Sequence, residues 1–453
     1  MDGDPTDLTT EQCELHRIRE SSGKLTYDFP PPNSGTTLYS PIVADQMQST
    51  YYGIRPERLE ATVSDKEVLY RVDQARHTLH RISVEQNWPE LSVKKEHPDI
   101  QIAWCHNRAL KPCTSITMKI NTKSGPGLSQ VAMDAAKGFY NDKNQALEQE
   151  LLGNNDYEED WCRHLPASVT NPTLPFSFSR GQPSSFFPNY YIRKEDTVRF
   201  SVVPCLDISK ILRMRRVFRN EAGEVTKIER ISRPDLSLLD GVPTGGRLEQ
   251  CSIYAYYMDV LEAEKQMMLS CNPSYTWPFE DFVTMSSDND LSYGQSHSFS
   301  VTDPRIVKNV FVMAENLAAT EYNCLSNYTG NPDKLYDGWD VISQVSYWRG
   351  NVEVTLPLSV IKNMMKEMFP GVPIPKGYLA IPLCLSPRHP DETVGVALGA
   401  SKKPYIKIWL NDCSPFKDQP KNCRFKVHCV LQVRRKIVFT RDGSKNEFTP
   451  VIH

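Results

Sequence analysis

Twelve cysteines and ten histidines are the side chains of this chain best suited to hold a metal or attack a substrate. The cysteines stand at positions 13, 105, 113, 162, 205, 251, 271, 324, 384, 413, 423 and 429, and no Cys-x-x-Cys occurs. A structural zinc needs four ligands in close pairs, and no such quartet can be drawn. Scattered cysteines of this kind read as small buried hydrophobes of a reducing compartment, with a few disulfides formed after cell lysis as the alternative. His77 and His80 have a helical spacing, but Arg71, Arg76 and Arg81 around them mark a solvated polar face. Cys105 with His106, and Cys162 with His164, are isolated pairs. Two ligands do not make a zinc site. The acidic run Asp156, Glu158, Glu159, Asp160 offers carboxylates of the kind that cleave glycosides. It reads as a solvated loop. Asn327-Tyr328-Thr329 is a glycosylation sequon by chance. There is no nucleophile elbow, P-loop, dinucleotide fingerprint or His-Glu-x-x-His. The expectation is a non-enzyme: catalytic residues none, cofactor-binding residues none, metal ligands none.

The elements that would position such groups are strands. Short runs separated by Pro, Gly, Asn or Asp dominate, as in Ser115–Ile120, Thr197–Val203, Gly350–Thr355, Tyr378–Cys384 and Pro404–Leu410. That is the signature of an all-β sandwich or barrel. Between Arg424 and Arg434, Phe425, Val427 and Cys429 alternate with Lys426 and His428, which predicts one buried and one exposed face. Two stretches read as helices. Leu128–Leu152 carries Val131, Ala135, Phe139, Leu147 and Leu151, with Gly138 and Asn141-Asp142 as interruptions. Pro357–Phe369 carries Val360, Ile361, Met364, Met365 and Met368 along one face, which predicts a helix packed on a sheet edge. Helices do not alternate regularly with strands, so a parallel sheet is excluded.

At 453 residues, two or three folding units are expected. Fifty-two basic and fifty-five acidic side chains leave a net charge of -3. This excludes a surface that is a polyelectrolyte for nucleic acid throughout. Basic clusters at Lys210–Arg219 and Arg434-Arg435-Lys436 mark where direct nucleic-acid contact, if any, would fall. The N-terminal Met1–Asp7 is acidic with no apolar run, so neither a signal peptide nor a transmembrane segment is expected. Turn residues concentrate between Arg219 and Gly246, and Phe29–Gly35 is rich in proline. The division expected is an N-terminal arm over 1–60, a first β domain over 61–230 and a second over 231–453. No exact repeat relates the two halves.

Particular segments resemble a known family. Ser252–Glu262, an aromatic strand running into Asp259-x-x-Glu262, is similar to the opening of the second jelly roll in the double jelly-roll major capsid proteins of nucleocytoplasmic large DNA viruses, virophages and Polinton-like viruses. In that family arginines follow; here Ala263-Glu264-Lys265 stand instead. Ser298–Met313, with Pro304, Lys308 and Phe311, resembles the family strand carrying proline, lysine and an aromatic, with spacing one residue longer. Leu174–Phe178 and Thr197–Val202 resemble the closing strands of the first jelly roll. Tyr378–Pro387, Pro404–Leu410 and Phe425–Val433 follow the order of the closing strands of the second, with His389-Pro390-Asp391 in place of Pro-Ser-Gly. The resemblance runs from Leu174 to Phe439.

The resemblance implies an all-β fold of two side-by-side eight-stranded antiparallel jelly rolls with short helices in loop insertions. It implies a major capsid protein forming pseudo-hexagonal trimeric capsomers that tile an icosahedral DNA virus shell. Partners would be the other chains of a homotrimer, neighbouring capsomers, and minor capsid or penton proteins, with no small-molecule substrate and no cofactor. The protein would be made in the host cytoplasm and reside in the virion. Pro357–Phe369 and Glu321–Tyr336 would lie in insertions that form outer towers, and the Pro-rich arm would reach beneath the shell. Two rivals stand beside this. One is a single jelly-roll subunit of a small parvovirus-like or picornavirus-like virion, since Tyr347-Trp348-Arg349-Gly350 resembles a tetrapeptide of picornavirus-like coat proteins. The other is a carbohydrate-binding β-sandwich using Trp277, Trp339 and Trp348.

Overall fold

The structure, a computed structural model, describes residues 54–64, 66–73, 78–106, 111–121, 123–140, 161–165, 168–170, 190–191, 196–258, 274–332, 338–369, 374, 376–385, 395–413 and 423–440. The first half begins with β1 (Ile54–Arg58), β2 (Glu60–Val63), β3 (Val68–Arg71), β4 (Thr78–Trp88), β5 (Leu91–Val93) and β6 (Ile100–Trp104). Then come β7 (Cys113–Ile120), β8 (Lys123–Ser129), the helix α1 (Gln130–Tyr140), β9 (His164–Leu165), β10 (Ser168–Thr170) and β11 (Tyr190–Tyr191). It closes with β12 (Val198–Pro204), β13 (Leu212–Arg219), β14 (Val225–Ile231), β15 (Leu239–Asp240) and β16 (Ser252–Met258).

The second half is more regular: β17 (Ser274–Ser286), β18 (Ser296–Ser300), β19 (Val307–Asn316), the one-turn helix α2 (Leu317–Thr320), β20 (Ile342–Arg349) and β21 (Val352–Pro357). The helix α3 (Leu358–Met368) follows, then β22 (Leu379–Pro382), β23 (Tyr405–Leu410) and β24 (Phe425–Thr440). Period-2 patterning drives them. In β7, Ile116, Met118 and Ile120 are buried between half-buried Ser115, Thr117 and Lys119. In β23, Ile406, Ile408 and Leu410 turn inward while Tyr405, Lys407 and Trp409 turn outward.

Strand order identifies the architecture. The eight strands of the second half form two antiparallel four-stranded sheets, β17-β24-β19-β22 and β18-β23-β20-β21. Numbered within the sandwich, these orders are 1-8-3-6 and 2-7-4-5, so first and last strands pair, as nested Greek keys require. The first half repeats the pattern. β1-β16-β4-β10 and β3-β12-β7-β8 have the same orders, with β11 also on β4 and β2 extending the β3 edge. Each half is a jelly roll, and the relation between the halves is architectural. The single jelly-roll reading is thereby overturned.

The remaining strands are insertions in the first roll. β14-β13-β6 and β15-β5-β9 make two three-stranded sheets over a core of their own, including Trp88, Ile102, Trp104, Leu212 and Met214. They come from the connections after the third, fifth and seventh strands, all at one end of a jelly roll.

Three expectations need correction. The boundary expected at 230/231 lies instead between Met258 and Ser274, because Ser252–Met258 pairs with β4 and β1 and closes the first roll rather than opening the second. The turn residues at Asn220–Gly223 and around Gly245 that suggested it belong to the β13–β14 hairpin and the connection after it. The arm expected over 1–60 is cut short by β1, whose Ile54–Arg58 already sits in a sheet. The helix expected over Leu128–Leu152 forms as Gln130–Tyr140; Leu128 belongs to β8, and residues 141–160 lie outside the described residues. The helix expected over Pro357–Phe369 forms as Leu358–Met368 and packs on β22.

Candidate assembly interface

Among the described residues, several buried polar side chains meet across the contact between the two rolls. β8 is an edge strand of the first roll and β17 an edge strand of the second, and the two lie side by side. The Gly127 amide donates to Asp281 Oδ1 at 3.1 Å, and the hydroxyls of Ser129 and Thr284 meet at 2.8 Å. β8 runs straight into α1, which packs on β17 and β24 of the second roll. Ser129 Oγ also accepts from the Ala132 amide at 3.2 Å, capping the helix. Behind this seam the apolar core is continuous, joining Phe200 and Ala136 of one roll to Phe282, Phe311 and Val430 of the other. β24 shows the result. From Val427 to Val433 it is buried on both faces, one against its own roll and one against the first.

A charged clamp crosses the same interface. Lys111, just before β7, donates from Nζ to Asp134 of α1 at 3.0 and 3.2 Å and to Ser326 Oγ of the second roll at 2.6 Å. Ser326 Oγ and Tyr328 OH donate to Asp134 Oδ2 at 2.8 and 2.9 Å. Lys111 and Asp134 are 2% and 3% exposed, so each charge depends on the partners named. Burial, with the Asp134 charge beside it, holds the Tyr328 hydroxyl well above its usual pKa. Further along, Asn323 Nδ2 donates to the carbonyls of Ser209 and Leu212 at 2.7 and 2.6 Å, and the Arg230 guanidinium sits 5.7 Å over the Tyr322 ring. The insertion after β19 is thus fastened to the inserted sheets of the first roll.

Two polar ties run inside the second roll. Glu280 takes Lys308 Nζ and Gln432 Nε2, and Asn309 Nδ2 donates to Gln432 Oε1 at 2.6 Å. His428 Nδ1 lies 2.8 Å from Ser286 Oγ, and its Nε2 lies 3.2 Å from Glu315 Oε2. Serine, imidazole and carboxylate in a row echo a hydrolase triad. Here they lie across the neighbouring strands β17, β24 and β19, Glu315 also accepts from Thr320, and the imidazole is buried against the Tyr328 ring. The arrangement is a cross-strand tie. The exposed polar face expected for His428 is overturned, because α1 and the first roll cover that side of β24.

The candidates read from sequence fall elsewhere. His80 lies on strand β4, not on a helix, and His77 is outside the described residues. Cys105 and His106 are buried together, while Cys162 Sγ donates to the His164 carbonyl and His164 pairs with Glu90 at 2.8 Å. Among the described residues no three His, Cys, Asp or Glu side chains could hold a metal ion. Asp156–Asp160 lies outside the described residues. The sequon is sealed: Asn327 and Thr329 are fully buried, and Asn327 Nδ2 donates to the Asn331 carbonyl. The basic cluster of β13 is engaged internally. Arg213 bonds the Trp104 carbonyl at 2.8 Å, Arg215 bonds Gln101 and stacks 4.4 Å over Trp161, and Arg216 pairs with Asp99. Arg435 pairs with Asp281 at 2.7 Å and lies 5.5 Å over Phe279. Trp348 lies under Lys403 and Trp339 bonds Tyr293; the Trp277 side chain is not described. The hydrogen bonds between the rolls were not legible in sequence, because the partners are up to 194 positions apart.

No protein-family model matches the sequence, and no curated protein does. Solved structures do. VP54 of PBCV-1, fitted into a cryo-EM reconstruction of the virophage Sputnik, aligns over 86% of this chain and 95% of its own, with TM-score 0.61 and 10% identity. The Faustovirus major capsid protein aligns over 97% of this chain and 100% of its own, with TM-score 0.57 and 9% identity. A chain of the Sputnik virophage cryo-EM structure aligns over 89% of both, with TM-score 0.51 and 9% identity. The fold is that of the double jelly-roll major capsid proteins. At these identities the likeness is one of fold. The alignments take in both rolls of this chain.

Proposed function

We propose that this chain is a major capsid protein whose copies join as trimers, each presenting six jelly rolls in a near-hexagonal outline that tiles the shell of an icosahedral DNA virus. The observation that carries this reading is the joining of two like rolls through unlike surfaces, the β8–α1 side of one against the β17–β24 side of the next. Such a head-to-tail contact leaves one unused surface of each kind at the two ends of the chain's block, and cyclic symmetry uses up both. The match over both rolls to the Faustovirus major capsid protein supports the same reading. Neighbouring capsomers and minor capsid or penton proteins are the further partners, and the virion is the site of action. Among the described residues no helix is long and apolar enough to cross a membrane.

The test is the mass of the purified protein in solution. A species of three chains of 51.7 kDa each by light scattering, seen as six-lobed particles by electron microscopy, is the expected result. A single-chain species across the micromolar range overturns the reading.

A further inference from the structure

Two cysteines meet inside the first roll. Cys113 opens β7 and Cys251 immediately precedes β16, so they come from the opposite sheets of the sandwich. Their sulfurs lie 4.0 Å apart, although 138 positions separate them in the chain. Both belong to the apolar core, Cys113 being 1% and Cys251 4% exposed. A disulfide holds its sulfurs about 2.05 Å apart, so the remaining gap of about 2 Å is within reach of side-chain rotation.

The surroundings make the two sulfurs unequal. Tyr70 of β3 donates its hydroxyl to the Cys251 carbonyl oxygen, and that hydroxyl lies 3.5 Å from the Cys251 sulfur. The contact from the Cys113 thiol, with the Tyr70 hydroxyl beside it, holds the Cys251 thiol below its usual range despite burial. The same contact, together with burial, holds Cys113 well above its own. Cys251 is thus the sulfur that gives up its proton and Cys113 the one that keeps it. A thiolate is the reactive form of cysteine, whereas two cysteines that only fill space need no such asymmetry.

We propose that Cys113 and Cys251 are an oxidation site, joined as a disulfide by a peroxide, and that this bond locks the last strand of the first roll to the opposite sheet. The Cys251 thiolate attacks one oxygen of hydrogen peroxide. The O–O bond breaks, Cys251 becomes a sulfenic acid, and the departing hydroxide takes up the proton that Cys251 had lost. The Cys113 sulfur then attacks the Cys251 sulfur, the S–O bond breaks, and the oxygen leaves as water with the Cys113 proton. Two thiols are oxidised and one peroxide is reduced to two waters. Hydrogen peroxide is little larger than water, which suits a sulfur only 4% exposed. The bond acts on the strand that closes the roll, since β16 pairs with both β1 and β4. It closes a loop of 138 residues, and cross-links over long loops restrict the unfolded chain most.

The test treats the purified full chain with dilute hydrogen peroxide and caps the remaining thiols under denaturing conditions. Linked peptides are then mapped by mass spectrometry without reduction. The expected result is a Cys113–Cys251 link and a thermal midpoint raised by about 5–10 °C, both reversed by dithiothreitol. Cys251→Ala and Cys113→Ala are each expected to show neither the link nor the rise. Cys413 is exposed, so its oxidation in the same sample shows that the peroxide has acted. With Cys413 oxidised, recovery of Cys113 and Cys251 as capped thiols overturns the proposal. Pro204 lies opposite Cys113 and Cys205 follows it, so a link from Cys113 to Cys205 instead overturns the pairing. A Cys113–Cys251 link with an unchanged midpoint overturns the locking. If either variant misfolds, the wild-type peptide map and midpoint are scored by the same outcomes.

Discussion

Ser129 Oγ lies 2.8 Å from Thr284 Oγ1 and 3.2 Å from the Ala132 amide, so one hydroxyl both caps α1 and joins the first roll to the second. The two roles separate by mutation. Ser129→Ala removes the cap and the bridge and is expected to cost about 1–2 kcal/mol. Thr284→Val keeps the shape, removes only the bridge, and is expected to cost about 0.5–1.5 kcal/mol. Urea unfolding of the two variants checks the order, and equal losses would remove the cap from the account.

The clamp of Lys111 and Asp134 makes a sharper prediction. Lys111→Met leaves the Asp134 carboxylate buried with only the Ser326 and Tyr328 hydroxyls, and is expected to destabilise by about 3–5 kcal/mol. The double variant Lys111→Met with Asp134→Leu leaves no charge behind and is expected to recover much of that loss. A double-mutant cycle by denaturant unfolding measures the coupling. Additive losses would show that the pair does not act as one.

Acid should loosen the second roll through Glu315. Burial alone raises its carboxyl, but the His428 imidazole and the Thr320 hydroxyl more than offset this and hold it below its ordinary 4.5. A carboxylate with a lowered folded pKa adds stability above its unfolded value, and that stability drains away as pH falls through the folded value. Glu315→Gln is therefore expected to be the less stable protein at neutral pH and to lose less on acidification below 4.5. Thermal midpoints across that range check it; parallel curves would sink the assignment.

Gly377 holds the turn before β22 at φ 84°, and a Cβ there would overlap the Tyr328 carbonyl oxygen. Its amide donates to Asp340 Oδ1 at 2.9 Å. Gly377→Ala is expected to cost about 1–3 kcal/mol from the backbone conformation, with the overlap added, and to disturb Tyr328 in the clamp. A differential scan of the variant against wild type reads the loss directly.

The sequence made the strands legible because period-2 patterning is local, and β7, β22 and β23 sit where Ile, Leu and Met alternate or cluster. The Met-bearing stripe of α3 was legible for the same reason. Pairing was not. Ser252–Met258 reads as a starting strand, since nothing within it records that its partners lie at Thr78–Trp88 and Ile54–Arg58. His428 shows the limit of alternation: the pattern assigns its face correctly, but exposure depends on whether another layer lies above. That layer is α1, almost 300 residues earlier in the chain. The clamp was hidden likewise, because a lone lysine, aspartate, serine and tyrosine carry no spacing that announces a network.

The pairing of β1 with β16 also sets an order of events during synthesis. When β1 leaves the ribosome, the strand that must lie beside it is still nearly 200 codons away. Until Met258 emerges, the nascent first sandwich carries bare ladder edges on β1 and β4, the kind of surface that pairs with a neighbouring nascent chain. Several ribosomes working one message therefore place identical sticky edges close together, and a holding chaperone is most valuable before that strand appears, well ahead of termination.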